Sequence, residues 1–279
     1  MNYDIKMIDF RKDEECLSKV VSLQNIVYEG KHSFTKEWFS NWYLLNPMGD
    51  VISFNAFLGD ELVAHYACIP YKMLIDGKVS LGLLDICTVT HPDHRGKGLF
   101  KQLAKTTYDY AKNNGFDFVI GVANGNSFPG YMKHFPFTFV SRLEVKVGWG
   151  RKVTSGKGKV FMTYWDKDSF NWRLRCGNAN YSRKDNSVEG RYKSIIPTFM
   201  GTFSDQLLSV SNICKKGHCV LKPYLYVGLG ANIESVYFNV PKFIKHSPFN
   251  LIFLDLTEGK LPAITRDNIF FQLLDFDVA

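Results

Sequence analysis

The sequence predicts an α/β fold of the α+β kind: a mixed, mostly antiparallel sheet with one parallel strand pair, followed by a second, smaller α+β lobe. Three observations carry this. Residues 51–90 hold three apolar runs joined by tight turns, which makes those strands antiparallel. Residues 81–123 read run, long helix, run, a crossover that makes its outer strands parallel. Residues 148–159, GWGRKVTSGKGK, bring four glycines and four basic residues without an apolar period, which marks a boundary.

Taken in order, the chain opens with a strand over 3–9 and a helix over 13–28, with Leu17, Val20, Val21, Leu23 and Val27 at helical spacing. A second helix, 35–45, starts at a Thr35 cap and stops at Asn46-Pro47. Strands over 51–58, 62–75 and 81–90 follow, separated by Gly59-Asp60 and Asp76-Gly77. The helix over 96–114 carries Leu99, Leu103, Thr107, Tyr110 and Ala111 on one face and ends at Asn113-Asn114-Gly115. A strand over 116–123, an Asn- and Gly-rich loop over 124–130, a helical turn to His134 and a strand over 137–147 complete the first half. Beyond 159 the pattern gives a short helix over 168–175 and strands over 221–228, 235–240, 251–256 and 269–276. The expected division is a domain over 1–148, a linker over 149–159 and a lobe over 160–279. One short echo links the halves: Phe39-Ser-Asn41-Trp42-Tyr-Leu44 and Phe170-Asn171-Trp172-Arg-Leu174.

The composition narrows the function. At 46% hydrophobic and 22% charged the 279 residues suit a folded chain, and disordered, fibrous and coiled-coil classes are excluded. A net charge of +7 favours an anionic partner, while the absence of dense basic runs argues against a nucleic-acid binder. No stretch approaches the ~18 apolar residues of a membrane span, and the opening residues lack an apolar leader core. The expectation is a soluble cytoplasmic protein. The six cysteines form no C-x-x-C pair and read as buried thiols; Cys214, His218 and Cys219 crowd together without a second ligand pair, so no metal is expected.

The chemistry concentrates in Leu83-Leu-Asp85-Ile-Cys-Thr88-Val89-Thr-His-Pro-Asp93-His-Arg95-Gly96-Lys97-Gly98-Leu99-Phe. An apolar strand runs through a proline turn into Arg-Gly-x-Gly at a helix start. Unpaired backbone N–H groups and the positive helix end then converge on one spot, a site for an anion. The spacing fits neither the phosphate loop of nucleotide hydrolases nor the three-glycine dinucleotide fingerprint.

This segment, with the element order over about 51–145, resembles the acyl-CoA site of the GNAT superfamily of N-acyltransferases, whose pattern is Gln/Arg-x-x-Gly-x-Gly/Ala between strand and helix. Asp93 stands where that family carries Gln or Arg, and Arg95 offers a positive charge two residues on. The resemblance implies that the parallel strands splay apart, with Thr88 and Val89 along the pantetheine arm. It implies amides of Arg95, Gly96, Lys97, Gly98 and Leu99 on the pyrophosphate, with Lys97 and Lys101 near the adenosine phosphates. Asn124 and Asn126 either bind pantetheine or shape the loop. Acyl transfer needs a base, an oxyanion donor and an acid. Asp85 is the candidate base, placed four residues before Val89 on the same strand face. The family's acid is a tyrosine in Tyr-x-x-x-Gly-Phe; here Pro136 replaces the glycine, Met132 takes the expected position and Tyr131 stands one place early, leaving Tyr131 and His134 as candidates.

The second half lacks such a turn and is expected to wall the acceptor cleft as a second GNAT-like lobe. With Trp42, Trp172, Asp275 and Asp277 as acceptor-binding candidates, the chain resembles two-lobed bacterial members of the superfamily, some of which acylate nucleotide-linked amino sugars. That implies a dTDP- or UDP-amino sugar acceptor in surface-polysaccharide biosynthesis. An aminoglycoside, polyamine or peptide amine, or acyl-CoA binding without catalysis, are the alternatives.

Overall fold

The computed structural model describes residues 2–29, 33–149, 153–156, 158–176, 180–191, 197–211, 223–234, 236–240 and 248–276. Strand β1 (Asp4–Met7) pairs antiparallel with β2 (Ile52–Leu58). The two helices between them begin at side-chain caps, the second of them the expected Thr35. Helix α1 (Glu14–Val27) starts at Asp13, whose carboxylate accepts from the Cys16 N–H at 2.8 Å; α2 (Lys36–Tyr43) starts at Thr35, whose hydroxyl accepts from the Trp38 N–H at 3.1 Å.

Strands β3 (Glu61–Ile75) and β4 (Lys78–Thr90) form a long hairpin. Its turn needs positive φ at both central residues, and Asp76 and Gly77 adopt 49° and 75°. Helix α3 (Leu99–Asn113) then crosses to β5 (Phe118–Ala123), which lies parallel to β4. Alternation along the strands splits the core between the two sheet faces. Ala67, Ile69 and Leu84 pack with α1 and α2, whereas Tyr66, Cys68 and Leu83 pack with Leu99, Leu103 and Tyr108 of α3.

After α4 (Phe128–His134), the expected strand over 137–147 is broken at Leu143 into β6 (Thr138–Arg142) and β7 (Glu144–Trp149), which enter different parts of the sheet. Then come β8 (Val153–Ser155), β9 (Phe161–Thr163), α5 (Lys167–Cys176), β10 (Asn180–Lys184), β11 (Ser187–Arg191) and β12 (Thr198–Thr202). Helix α6 (Asp205–Ser209), β13 (Tyr224–Leu229), β14 (Ala231–Ile233), β15 (Val236–Asn239), β16 (Asn250–Asp255) and β17 (Ile269–Gln272) follow. Strands β8 to β12 went unpredicted: each is only three to five residues long, too short to display a period.

The pairings arrange the strands into two sets of the same order, β2-β3-β4-β5-β16-β6 and β10-β11-β12-β13-β7-β15. In each, two antiparallel neighbours lead to a parallel pair bridged by a helix, α3 or α6. In each, the strand beyond that pair comes from the other set's stretch of chain. Strand β7 follows β6 but pairs with β13 and β15; β16 follows β15 but lies between β5 and β6. Strands β17 and β9 join the sets, β17 pairing with β13 and β9, and β9 with β3. Among the described residues all strands but β8 and β14 share one 15-stranded sheet. Among the described residues of 149–159, where a linker is expected, β8 pairs with β14 outside that sheet.

The short echo occupies equivalent places, since α2 and α5 each lead into their own set. The two helices touch there: Trp42 and Trp172 meet edge to face with centroids 5.5 Å apart, and the Trp172 indole N–H donates to the Asn41 carbonyl at 2.8 Å. Among the described residues no helix is long and apolar enough to cross a membrane.

Candidate active site

One irregularity in the β3–β4 hairpin creates the site. Ala67 faces Cys87 and Cys68 faces Asp85, so Ile86 is an extra residue in β4. Such a bulge raises the local twist and ends pairing with a neighbour. The parallel ladder of β4 and β5 runs from Leu83↔Val119 to Asp85↔Gly121 and goes no further. Beyond it the strands part around a cleft of about 690 Å³, with Asp85 on its wall beside Thr88, Val89, Asn124, Tyr131 and, from the end of α1, Tyr28.

The bulge also corrects the expected facing of Asp85. By simple alternation Asp85 and Val89 share a face, but the inserted residue moves Cys87 and Val89 to the α1 side, where they join that core. Asp85 stays on the α3 side with Leu83, and its carboxylate meets hydroxyls there. Gly121 opposite makes room: a Cβ on it would stand 3.1 Å from the Asp85 Cβ, tighter than ordinary side-chain contact.

Asp85 Oδ2 accepts two hydrogen bonds at 2.5 Å, from the hydroxyls of Tyr131 on α4 and Tyr66 on β3. The Tyr66 hydroxyl lies 2.5 Å from that of Tyr108 on α3. Burial is the largest influence on the carboxyl and pushes its pKa up from 3.8 to about 6, against the lowering effect of the Tyr131 and Tyr66 hydrogen bonds. Burial first, and then the neighbouring Asp85, holds all three tyrosines well above the ordinary phenol value, so they remain donors. A carboxylate that ionises near neutrality, ringed by protonated hydroxyls at the edge of a cleft, is equipped to accept and return a proton.

The strand's far end leads to the anion site. A single 3₁₀ turn, Pro92–His94, is followed by Arg95, whose Nε donates to the Thr90 carbonyl at 3.3 Å, and by Gly96 and Gly98 at φ 72° and 78°. Gly98 caps α3 in the left-handed region, and a Cβ on either glycine would meet nothing within 4 Å. The backbone conformation requires glycine there, and the space in front of these amides is open to an anion. A depression of about 380 Å³ gathers His94, Arg95, Gly96, Gly98, Lys101 and His134 around them. These features fit the diphosphate and pantetheine of coenzyme A, the first at the α3 start and the second along the unpaired edge of β4.

The other predicted residues divide. Arg95, Leu99 and Lys101 join the glycines at the depression, and Lys97 sits exposed between them. Asn126 lines the cleft, while the Asn124 side chain accepts from the backbone N–H of Asn126 at 2.9 Å and of Ser127 at 3.0 Å, so it shapes the loop that leads into α4. His134 lies beside the anion depression and not on the cleft wall with Asp85, because it ends α4 one turn beyond Tyr131. Trp42 and Trp172 are buried against each other, away from the cleft. Asp275 is also buried, accepting from the Trp165 indole at 3.1 Å and the Gln272 N–H at 2.6 Å. Asp277, Cys214, His218 and Cys219 lie outside the described residues. Tyr66 and Tyr108 were missed; the only signal was Ala104, Tyr108 and Ala111 at i, i+4 and i+7 of α3.

Residues 11–138 match the family model described as an acetyltransferase (GNAT) domain. No curated protein sequence matches the chain. Among solved structures, a conserved protein of unknown function from Enterococcus faecalis V583, titled a probable N-acyltransferase, superposes with a TM-score of 0.60 at 7% identity, covering 92% of this chain and 73% of that one. A GCN5-related N-acetyltransferase from Kribbella flavida gives 0.57 at 10% identity over 91% and 73%, and one from Anabaena variabilis 0.55 at 8% over 92% and 74%. These likenesses extend the shared fold over both strand sets. The family match falls on the stretch that holds the bulge, the parting strands and the glycine turn, so residues 11–138 of this chain are similar to the GNAT acetyltransferase domain.

Proposed function

We propose that the protein transfers an acyl group from acyl-CoA to the primary amine of a small acceptor, with Asp85 as base and Tyr131 as acid. The observation that carries this is the 2.5 Å contact between the Tyr131 hydroxyl and Asp85 Oδ2 at the point where β4 and β5 part. Bound acyl-CoA supplies the thioester, whose carbonyl carbon forms the new C–N bond as the C–S bond breaks with its electron pair on sulfur. Asp85 takes the proton that the attacking amine sheds. The Tyr131 hydroxyl gives its proton to the departing sulfur, and the protonated carboxyl restores it through their contact. One proton enters the pair and one leaves. Backbone N–H groups on the unpaired edge of β4 near Val89 are placed to steady the oxyanion.

For the acceptor, the wall composition and charge favour a nucleotide-linked amino sugar, dTDP- or UDP-linked, of the kind surface-polysaccharide synthesis consumes. Asp85 is the one carboxylate among the described residues lining the cleft, and Arg95 stands at its other end. A polycationic aminoglycoside or polyamine calls for several acids, whereas a diphosphate-bearing amine suits a chain of net charge +7. The burial of Trp42, Trp172 and Asp275 leaves this reading resting on charge alone. Thiol release from acetyl-CoA across dTDP- and UDP-amino sugars, an aminoglycoside, a polyamine and a peptide tests both levels. Turnover only with the cationic acceptors overturns the acceptor reading. Binding of coenzyme A without turnover on any amine, unchanged by longer acyl chains, overturns the activity.

A further inference from the structure

The cleft holds more hydroxyls than acyl transfer requires. Tyr66 donates its single proton to Asp85 Oδ2, so the hydrogen bond between Tyr66 and Tyr108 must run with Tyr108 as donor. The order is Tyr108 to Tyr66 to Asp85, drawn from α3, β3 and β4. Tyr131 supplies the second donor to the same oxygen. Oδ2 is thereby saturated. Oδ1 receives no hydrogen bond among the described residues, yet it is not one of the buried polar atoms that lack a partner, so it is open to the cleft.

The chain of hydroxyls is held from all sides. Tyr66 and Tyr108 meet edge to face with centroids 6.0 Å apart, and Phe135 and Phe137 close on the Tyr108 ring at 5.1 and 5.6 Å. Phe100 packs edge-on against Tyr131 at 5.1 Å. The titratable groups facing Asp85 are Tyr66 and Cys68 from β3, Tyr108 from α3 and Tyr131 from α4, and among the described residues none is a base. Charge compensation for the carboxylate must therefore come from hydroxyl protons.

We propose that Tyr66, reinforced by Tyr108, is a positioning residue: it anchors Oδ2 from the side away from Tyr131, fixes Oδ1 as the oxygen presented to the acceptor amine, and supports the carboxylate form of Asp85. Neither tyrosine touches the reacting atoms. A hydroxyl that already accepts a hydrogen bond is a stronger donor, which gives Tyr108 its effect at one remove. The catalytic meaning of this device rests on Asp85 being the base, and the test separates the two.

Protein labelled with ¹³Cγ-aspartate is titrated by NMR, with the Asp85 signal assigned by its loss in Asp85→Asn. Tyr66→Phe keeps the ring and removes the donor, and is expected to raise the Asp85 midpoint by about one to two pH units, the worth of one hydrogen bond to a charged group. Tyr108→Phe is expected to move it the same way by about half a unit, and Tyr110→Phe on the same helix to leave it in place. With the acetyl-CoA and amine pair that turns over, the acidic limb of the kcat profile should shift in parallel while KM for acetyl-CoA holds. An unmoved or lowered midpoint in both Tyr66→Phe and Tyr108→Phe overturns the proposal, even where Asp85→Asn abolishes turnover. Full turnover by Asp85→Asn would instead remove the base assignment, and a shifted midpoint would still establish the clamp.

Discussion

Asp85→Asn should destroy activity and at the same time stabilise the protein, in a pH window set by the site itself. Burial lifts the folded-state pKa of Asp85 from 3.8 to about 6, so between these values the native state holds a proton that the unfolded chain releases. Stability then falls as pH rises, by up to ~1.4 kcal/mol per pH unit, and the loss levels off above the folded pKa. A shift of about two units makes the ionised carboxylate cost about 3 kcal/mol at pH 8. Asparagine keeps an oxygen for the Tyr66 and Tyr131 hydroxyls and carries no charge. At about 2–4 °C per kcal/mol for a chain of this size, the variant should melt on the order of 6–12 °C above wild type at pH 8. The advantage should shrink through pH 6 and 5 and vanish near pH 4. Asp275, raised to about 6 by its own burial, is present in both proteins and cancels in the difference. Calorimetry at pH 4, 6 and 8, with thiol-release assays beside it, is the measurement. A variant less stable at pH 8, or a gap that does not change with pH, would refute the reasoning.

The other expectations concern the cofactor end and the exchanged strands. Gly96→Val places a β-branched side chain at φ 72° and in front of the open amides; it should cost about 1–2 kcal/mol of stability and abolish the coenzyme A-induced rise in Tm, and retained affinity by calorimetry would contradict the anion site. A fragment of residues 1–148 lacks β16, whose Leu251, Ile252, Phe253 and Leu254 are all buried. At about 1.5–3 kcal/mol per side chain that removes about 6–12 kcal/mol, comparable to a whole domain's stability, so the fragment should be unfolded or aggregated by circular dichroism and size-exclusion chromatography. Coenzyme A should bind at one molecule per full chain in isothermal titration; a second equivalent site would mean that the other strand set also accepts it.

Legibility in the sequence followed the length of each signal. Thr35 as a cap, the Asp76-Gly77 hairpin and the crossover through α3 were readable because each rests on a local rule with a residue type that enforces it. Gly96 and Gly98 were readable for the same reason. The facing of Asp85 was not, since a bulge at Ile86 leaves no mark in an apolar run and reverses every inference drawn from alternation after it. Tyr131 looked misplaced by one position when aligned to a motif, yet its hydroxyl reaches Asp85, because what matters is where α4 points and not the count to Pro136. Trp42 and Trp172 drew attention as paired aromatics; their partners are each other. The exchange of β7 and β16 had no sequence signature, because partners as distant as Gly148 and Tyr224, or Ala123 and Asn250, are chosen by the whole sheet.

Among the described residues the two sets share one order, yet they differ in what occupies the opening between their parallel strands. In the first set β4 and β5 part beyond Asp85 and Gly121, and the opening becomes the cleft. In the second, β12 and β13 pair only at Thr198↔Leu225 and Phe199↔Tyr226 before they part in the same way. Here the chain fills the opening itself. Strand β17 pairs with β13 at Gly228 and Leu229, and the Gln272 side chain bridges to β12, its Oε1 accepting from the Thr202 N–H at 2.6 Å and its Nε2 donating to the Thr202 carbonyl at 3.3 Å. An amide side chain thus bonds to the strand edge whose counterpart in the first set borders the cleft. The turn after β12 also differs: Ser204, not glycine, caps a helix of five residues, and its hydroxyl accepts from the Leu207 N–H at 3.2 Å. Because β17 also pairs with β9, and β9 with β3, the segment that closes the second opening continues into the sheet of the first. Closure of the second opening and extension of the first set's sheet are two consequences of the same strand.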